Sequence, residues 1–150
     1  MIVKTSLKTL SQVATIHTVT WHETRKAGVK IRQALTNEWA IRGVEKQDQF
    51  RQLSTKLSLY TFGISHSQMK ALKGLKPGQN LRDHMTEFEL ILIQLAECST
   101  LEMTRLYNVH GFNHHLVMVA HGGEVAAVAR RVFEKNMRMK PWSLEPKKLT

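Results

Sequence analysis

The sequence has a single cysteine, no long apolar run and few acidic residues, and each shortage narrows what the chain can be. Cys98 has no second thiol to pair with, so a disulfide framework is excluded and a reducing, cytoplasmic setting is expected. It lies in the apolar stretch of residues 90–98, which predicts a buried structural thiol. No window approaches the ~18 apolar residues of a spanning helix, and the N-terminal segment lacks the continuous apolar core of a secretory signal. We therefore expect neither a membrane span nor export.

Motifs of the common catalytic sites are also missing. There is no nucleophile elbow, no H-E-x-x-H motif, no paired-carboxylate arrangement and no phosphate loop. The sequence has 8 histidines, and four of them lie close together, at His110, His114, His115 and His121. Gly111 interrupts the helix that would align the first two, and no cysteine or carboxylate completes a zinc set. We expect no metal, no cofactor and no enzymatic activity.

The positive charge is large and unevenly distributed. The net charge is +10 and the isoelectric point is near 10.1. Residues 1–75 hold 12 Lys and Arg against 4 Asp and Glu, whereas residues 76–150 hold 10 against 8. Such a field attracts polyanions or steers an acidic protein, and both effects weaken as salt is added. The alternative is a merely soluble surface.

Helical periodicity begins at residue 25 and predicts three helices in the first half. The apolar spacing predicts a helix over residues 25–43 and another over residues 46–62, each ended by a glycine. The segment S-H-S-Q at residues 65–68 matches a capping box and predicts a short helix over residues 67–73.

The second half predicts two further helices. Pro77-Gly78 is a strong turn signal, and T-E-F-E at residues 86–89 is a second capping box ahead of the most apolar stretch, which should form a central core helix. A last helix is expected over residues 112–137, with Gly122-Gly123 as the place for a break or for close packing.

These elements predict a mainly α protein, a compact bundle of about five helices in one domain. Residues 1–24 alternate polar and β-branched residues and read as an extended arm, with a short strand as an alternative. Residues 25–140 form the helical domain, and residues 141–150, with proline and lysine, form a loose tail.

Residues 59–73 have the outline of a helix-turn-helix, with glycine at the turn and a serine cap. In such a unit the exposed start of the second helix faces the major groove of DNA, which makes His66, Ser67, Gln68 and Lys70 candidate contacts. Lys and Arg of residues 25–56 would then contact phosphates. Plain packing of two helices through a glycine turn is the alternative.

A basic stripe near the C-terminus is a second candidate surface. It includes Arg130 and Arg131, with Trp142 nearby as a stacking or anchor residue. Cations are also favoured at the C-terminal ends of helices, so a solvated helix end explains the same pattern.

Three short stretches carry a family resemblance. They are K-G-L-K at residues 73–76, N-L-R-D-H-M at residues 80–85, and G-G-E-V-A at residues 122–126 with A-R-R at residues 129–131. Together they resemble the C-terminal part of a family of phage antirepressors of the BRO and KilA type and of the DNA-damage-inducible protein DinD. The likeness covers roughly residues 25–140. Members of that family usually carry an additional N-terminal domain, for which residues 1–24 are too few.

The resemblance implies a regulatory role. For DinD it implies SOS-linked expression and modulation of recombinase filaments on single-stranded DNA, and for the antirepressors it implies capture of a phage repressor. It implies no catalytic residues, and it adds Lys73, Lys76 and Arg82 to the candidates. These motif residues also fit a structural role, as a turn followed by a helix start.

We therefore expect a non-enzymatic phage or mobile-element regulator that binds a protein partner, namely a phage repressor or a host recombination protein. The alternatives are a DNA-binding regulator and, third, an inhibitor of a host defence effector of the anti-CRISPR type. Whether the chain forms a homo-oligomer stays open. The candidate DNA- or partner-binding residues are His66, Ser67, Gln68, Lys70, Lys73, Lys76, Arg82, Arg130 and Arg131.

Overall fold

The computed structural model describes the backbone of residues 2–143 and the side chains of residues 20–143, and this part is built from helices. The α-helices are α1 Ile2–Ile41, α2 Gln47–Phe62, α3 His66–Leu72, α4 Glu87–Leu106 and α5 Phe112–Met137. Two short 3-10 turns, Leu81–His84 and Pro141–Ser143, complete it. No strand occurs within residues 2–143, so the predicted mainly α bundle of five helices is confirmed.

The helices pack around α4 and α5. α5 lies against both α4 and α2, and α1 packs on α4. The core is continuous, with Trp39 from α1, Phe62 from α2, Met69 from α3 and Ile93 from α4 all buried. The short helix α3 contacts α2 and the turn Leu81–His84, and ion pairs of Lys73 with Glu89 and of Arg82 with Glu97 link this region to α4.

The predicted capping boxes are both present. The Gln68 N–H donates to Ser65 Oγ at 3.1 Å, and the Ser65 N–H donates to Gln68 Oε1 at 2.8 Å. At the start of α4 the Glu89 N–H donates to Thr86 Oγ1 at 3.2 Å, and the Thr86 N–H donates to Glu89 Oε1 at 3.0 Å. Each pair satisfies backbone N–H donors through residues only three positions apart. The start of both helices can therefore be predicted from the local sequence.

Of the two roles predicted for Gly122-Gly123, close packing is confirmed, since α5 runs without a break. A Cβ on Gly122 would lie 1.8 Å from Thr100 Oγ1 of α4, and one on Gly123 would lie 2.4 Å from Tyr60 Cβ of α2. The two glycines let α5 approach both neighbours at once.

The extended N-terminal arm is wrong, because residues 2–24 belong to α1 and no break in the helix marks residue 24. β-branched residues cost a helix only about 0.7 kcal/mol or less each, so they do not prevent one. In the sequence Val3, Leu7, Leu10 and Ala14 recur at three- and four-residue intervals, which is the helical period. The interspersed serines and threonines obscure it.

The predicted tail begins with ordered structure. Pro141 is buried in the turn Pro141–Ser143, and Trp142 packs against the core. The rest of the tail, residues 144–150, lies outside the described residues.

Cys98 is exposed, so the predicted buried thiol is wrong. The buried side of α4 includes Leu92, Ile93, Ala96 and Thr100, and Cys98 points the other way. An apolar run reports a strongly hydrophobic helix but does not by itself say which residues face the core.

Candidate functional site

A cavity of about 700 Å³ opens between α1, α3 and the segment 78–82, and we call it the basic groove. Its charged and titratable lining consists of Arg25, Arg32, His66, Lys70 and Arg82. Neutral polar side chains, including Gln33, Asn37, Gln79 and Asn80, also line it, together with the apolar Val29 and Leu81. No carboxylate is among the residues described around it.

Three elements bring these cations together. Arg25 and Arg32 are two helical turns apart on α1, and His66 and Lys70 are one turn apart on α3, so each pair shares a face. Arg82 lies in the turn Leu81–His84, which starts where Asn80 Oδ1 accepts the Arg82 N–H at 2.9 Å. The Asn80 cap therefore fixes the start of the turn that carries Arg82 into the groove.

Two of the four strong cations are held by carboxylates outside the lining. Arg82 Nη2 lies 2.6 Å from Glu97 Oε1 of α4, and Glu97 is buried. Arg25 Nε lies 3.2 Å from Asp83 Oδ1. These ion pairs connect the turn Leu81–His84 to α1 and α4. They therefore stabilise the arrangement of the elements that line the groove.

Arg32 and Lys70 have no such partner. Among the side chains of residues 20–143, none forms a hydrogen bond or ion pair with the Arg32 guanidinium or the Lys70 ammonium. Both residues are half-buried. Burial lowers the pKa of Arg32 from its ordinary value, and the Arg82 charge lowers it further, against the opposing attraction of Glu97. The groove thus holds positive charge that Glu97 offsets only in part and that no described carboxylate neutralises in a direct ion pair with Arg32 or Lys70.

His66 faces the same cations. Burial is the main reason that its pKa lies below the ordinary histidine value, and the charges of Arg82, Arg32 and Lys70 add to the effect. The lowered pKa favours the neutral imidazole, which carries one N–H donor.

Of the predicted site residues, the structure brings His66, Lys70 and Arg82 together in the basic groove. Ser67, Gln68 and Lys76 are exposed outside it. The Gln68 carbonyl oxygen is already used in the cap of α3.

Lys73 has a structural contact. Its Nζ lies 2.7 Å from Glu89 Oε1, and Glu89 is fully buried at the start of α4. Because Glu89 also accepts the Thr86 N–H, one carboxylate closes the capping box and holds the end of α3 against α4.

The two C-terminal arginines have different surroundings. Arg130 is buried, donates to the Thr61 carbonyl at 2.8 Å and pairs with Glu134 at 2.8 Å, so it links α5 to α2. Arg131 is exposed and pairs with Glu124 on its own helix. Neither lies at the groove.

Arg25 and Arg32 were predicted only as part of the basic residues 25–56 and not as individual candidates. Their seven-residue separation on a helix was a usable signal, since it places both on one face. What the sequence could not provide was the pairing pattern that leaves Arg32 without a carboxylate.

Among the described side chains of residues 20–143, no three His, Cys, Asp or Glu groups come together in a way that could hold a metal ion. In the histidine cluster, His115 is buried and donates Nε2–H to the Arg42 carbonyl at 3.1 Å. No helix in this part of the chain has the length and apolar character needed to cross a membrane.

A second surface feature lies on the outer side of α5. Four valines there are between 44% and 55% exposed and recur at three-, four- and eight-residue intervals, which places them along one side of the helix. We call them the outer apolar stripe: Val117, Val125, Val128 and Val132.

The comparisons with known proteins add no relative. No protein-family model matches the chain, and no curated protein matches it significantly. The resemblance to the antirepressor and DinD family therefore stays a prediction. Of the residues that carry it, Asn80, Leu81 and Arg82 line the basic groove.

Proposed function

We propose that this chain is a non-enzymatic regulator that binds a nucleic-acid strand in the basic groove. The observation that carries the proposal is the Arg32 guanidinium, half-buried beside Arg82 and unpaired among the described side chains. Burying a guanidinium next to another positive charge is energetically unfavourable. A surface arginine without a role in binding would normally extend into water, away from like charges. A groove that concentrates uncompensated positive charge is suited to an anionic polymer.

The lining supports contact with the phosphate backbone of a single strand. No Phe, Tyr or Trp is among the residues described around the groove, and His66 is the single aromatic ring in that described lining, so base stacking is not the main source of its affinity. Arginine and lysine with flanking amides are the groups that commonly contact phosphate and sugar. A cavity of about 700 Å³ has room for a nucleotide or two of one strand.

This proposal differs in geometry from the helix-turn-helix hypothesis, which uses the exposed side of α3. His66 and Lys70 contribute to the groove, where they face α1, and α3 is only 7 residues long. The contact surface proposed here therefore includes α1 and the turn Leu81–His84.

The test is the fluorescence anisotropy of a labelled single-stranded oligonucleotide between 50 and 300 mM KCl, at concentrations chosen by the general salt dependence of such complexes. Arg32→Glu should weaken binding by about tenfold or more, since a contact is lost and a repulsion gained. Arg51→Glu is the matched control, because Arg51 is exposed on α2 and none of the described groove residues belongs to α2. Equal losses in the two variants, or no binding at 50 mM KCl, would contradict the proposal.

The outer apolar stripe favours a second candidate, contact with a protein partner. Four exposed valines on one helix side offer apolar area that a partner can cover. The partners expected from the family resemblance, a phage repressor or a host recombination protein, are compatible with it. A photo-crosslinking amino acid at Val128 should capture one nuclease-resistant protein band in cells, and Val125→Asp with Val132→Asp should abolish it. A crosslinker at Arg51 should not capture that band.

A further inference from the structure

The floor of the basic groove, defined here as Arg32, His66 and Lys70, has the donors of an anion site. Arg32 contributes a planar guanidinium from α1, and α3 contributes an ammonium and an imidazole one helical turn apart. Within the described part of the chain, no protein acceptor is bound to any of the three groups. Donors from two helices therefore line one cavity, and His66 lies close enough to Arg32 and Lys70 for both charges to lower its pKa.

Arg82 and Arg25 border this floor but are already engaged. Arg82 is held at 2.6 Å by Glu97 and Arg25 at 3.2 Å by Asp83. Their charges raise the local potential, and their carboxylate partners lie outside the lining. An incoming anion therefore meets the three floor donors without first displacing an ion pair.

We propose that the floor binds one phosphate group, held by the Arg32 guanidinium with Lys70 and His66 beside it. That the phosphate belongs to a nucleic-acid backbone rests on the proposed function above. A guanidinium fork binds the two non-bridging oxygens of a phosphodiester, and the remaining lone pairs of these oxygens can accept from an ammonium and an imidazole N–H.

The space around the floor fits a phosphate that is part of a larger molecule. A cavity of about 700 Å³ far exceeds a free phosphate ion, and Gln33, Asn37 and Asn80 flank the floor with neutral amide groups. Amides of this kind donate to and accept from sugars and base edges. The groove is thus suited to a phosphodiester with its neighbouring sugar and base.

The test follows the side-chain Nε–Hε signals of the arginines by NMR in the full chain. Inorganic phosphate is titrated against chloride at constant ionic strength, and a short oligothymidylate is titrated in parallel. The Arg32 signal, assigned by its loss in Arg32→Gln, should shift saturably with both ligands, and the Arg51 signal should not. Arg32→Gln should lower oligonucleotide affinity about tenfold, whereas Arg32→Lys, which keeps the charge and loses the fork, should lower it about threefold.

The two proposals fail in different ways. A linear, unsaturated drift of all arginine signals with phosphate would overturn the phosphate site, even if oligonucleotide binding survives in support of the proposed function. A saturable Arg32 shift with phosphate but no oligonucleotide binding would keep the site and contradict the proposed function. An oligomer with uncharged methylphosphonate linkages that binds as tightly as the natural one would overturn the site. If Arg32→Gln does not fold, Lys70→Gln should give a loss of about threefold to tenfold.

Discussion

The Lys73 ammonium lies 2.7 Å from the carboxylate of Glu89, a residue with no exposed surface at the start of α4. The pair joins α3 to α4, and the same carboxylate closes the capping box with Thr86. A charge buried this completely depends on its partner, because the interior cannot replace the lost hydration.

Lys73→Met should lower the free energy of unfolding by about 2–4 kcal/mol, since it leaves the Glu89 carboxylate buried and unpaired. Adding Glu89→Gln should recover part of this loss, because the amide keeps the capping acceptor and removes the charge. Urea unfolding measures both. Lys76→Met, at an exposed lysine in the next turn of chain, is the control and should change the free energy by less than about 0.5 kcal/mol. Equal effects at the two lysines would contradict the structural role of Lys73.

Arg32→Met should stabilise the chain by about 0.5–1 kcal/mol while it weakens ligand binding. The substitution removes a half-buried charge that faces Arg82 and Arg25 and has no partner among the described side chains. Such an opposition between stability and function is expected of a binding residue. Denaturant unfolding at low salt measures the change, and Arg82→Met, which breaks the pair with Glu97, should destabilise instead. A loss of stability in Arg32→Met would argue that Arg32 has a structural role.

Gly122→Ala should destabilise the bundle by about 2 kcal/mol or more, because the new methyl group would overlap Thr100 Oγ1 and the Ala96 carbonyl of α4. Gly28→Ala on α1 is the matched helical control. There the nearest atoms belong to the end of the Gln94 side chain, which can move away, so the effect should be smaller. Thermal unfolding followed by circular dichroism compares the two. A milder effect at Gly122 than at Gly28 would mean that α4 and α5 pack less closely.

The free energy of unfolding should fall as the pH drops through about 6.5, the ordinary histidine pKa of the unfolded chain. Burial lowers the pKa of His115 in the folded state, partly opposed by the bond to the Arg42 carbonyl, so the unfolded chain binds more protons in this window. Stability is therefore present above this range and lost on acidification. Urea unfolding from pH 5.5 to 8 tests it. His115→Gln should reduce the slope, and an unchanged slope would assign the pH dependence to other groups.

Oligonucleotide affinity should rise as the pH falls from 7.5 to 5.5, by at most about tenfold per unit for one proton taken up. Burial, together with Arg82, Arg32 and Lys70, keeps the pKa of His66 low, and a bound phosphate would offset those three charges. Binding should then favour protonation of the imidazole. Anisotropy at fixed ionic strength measures the trend, and His66→Gln should abolish it. A trend that persists in His66→Gln would place the proton elsewhere.

Much of the fold could be predicted from the sequence because helix caps and helix-ending glycines depend on residues close together in the chain. Ser65 and Thr86 mark helix starts through bonds to residues three positions on, and Gly63, with a φ of +73°, ends α2 in a conformation that glycine adopts at little cost. The helical start of α1 has no such cap in its sequence. Its β-branched residues suggested an extended arm that the structure replaces with helix.

The candidate site was only partly readable. His66, Lys70 and Arg82 could be identified as basic residues near a turn, but Lys73 belongs to the same pattern and is structural. Binding and structural cations are distinguished by their ion pairs with carboxylates elsewhere in the fold. Lys73 pairs with Glu89 and Arg82 with Glu97, at sequence separations of 16 and 15 residues. Such pairings are decided by tertiary packing. Arg32 emerges as unpaired only once they are assigned.

The paired glycines of α5 have a consequence for motion. Each fits a tight gap against a different neighbour, Gly122 at Thr100 and Gly123 at Tyr60. Sliding α5 lengthwise by one residue would bring a side chain such as Glu124 into one of these gaps, so a register shift of this helix is blocked from both sides. A rearrangement that accompanies ligand binding would therefore leave the register of α5 against α4 and α2 unchanged.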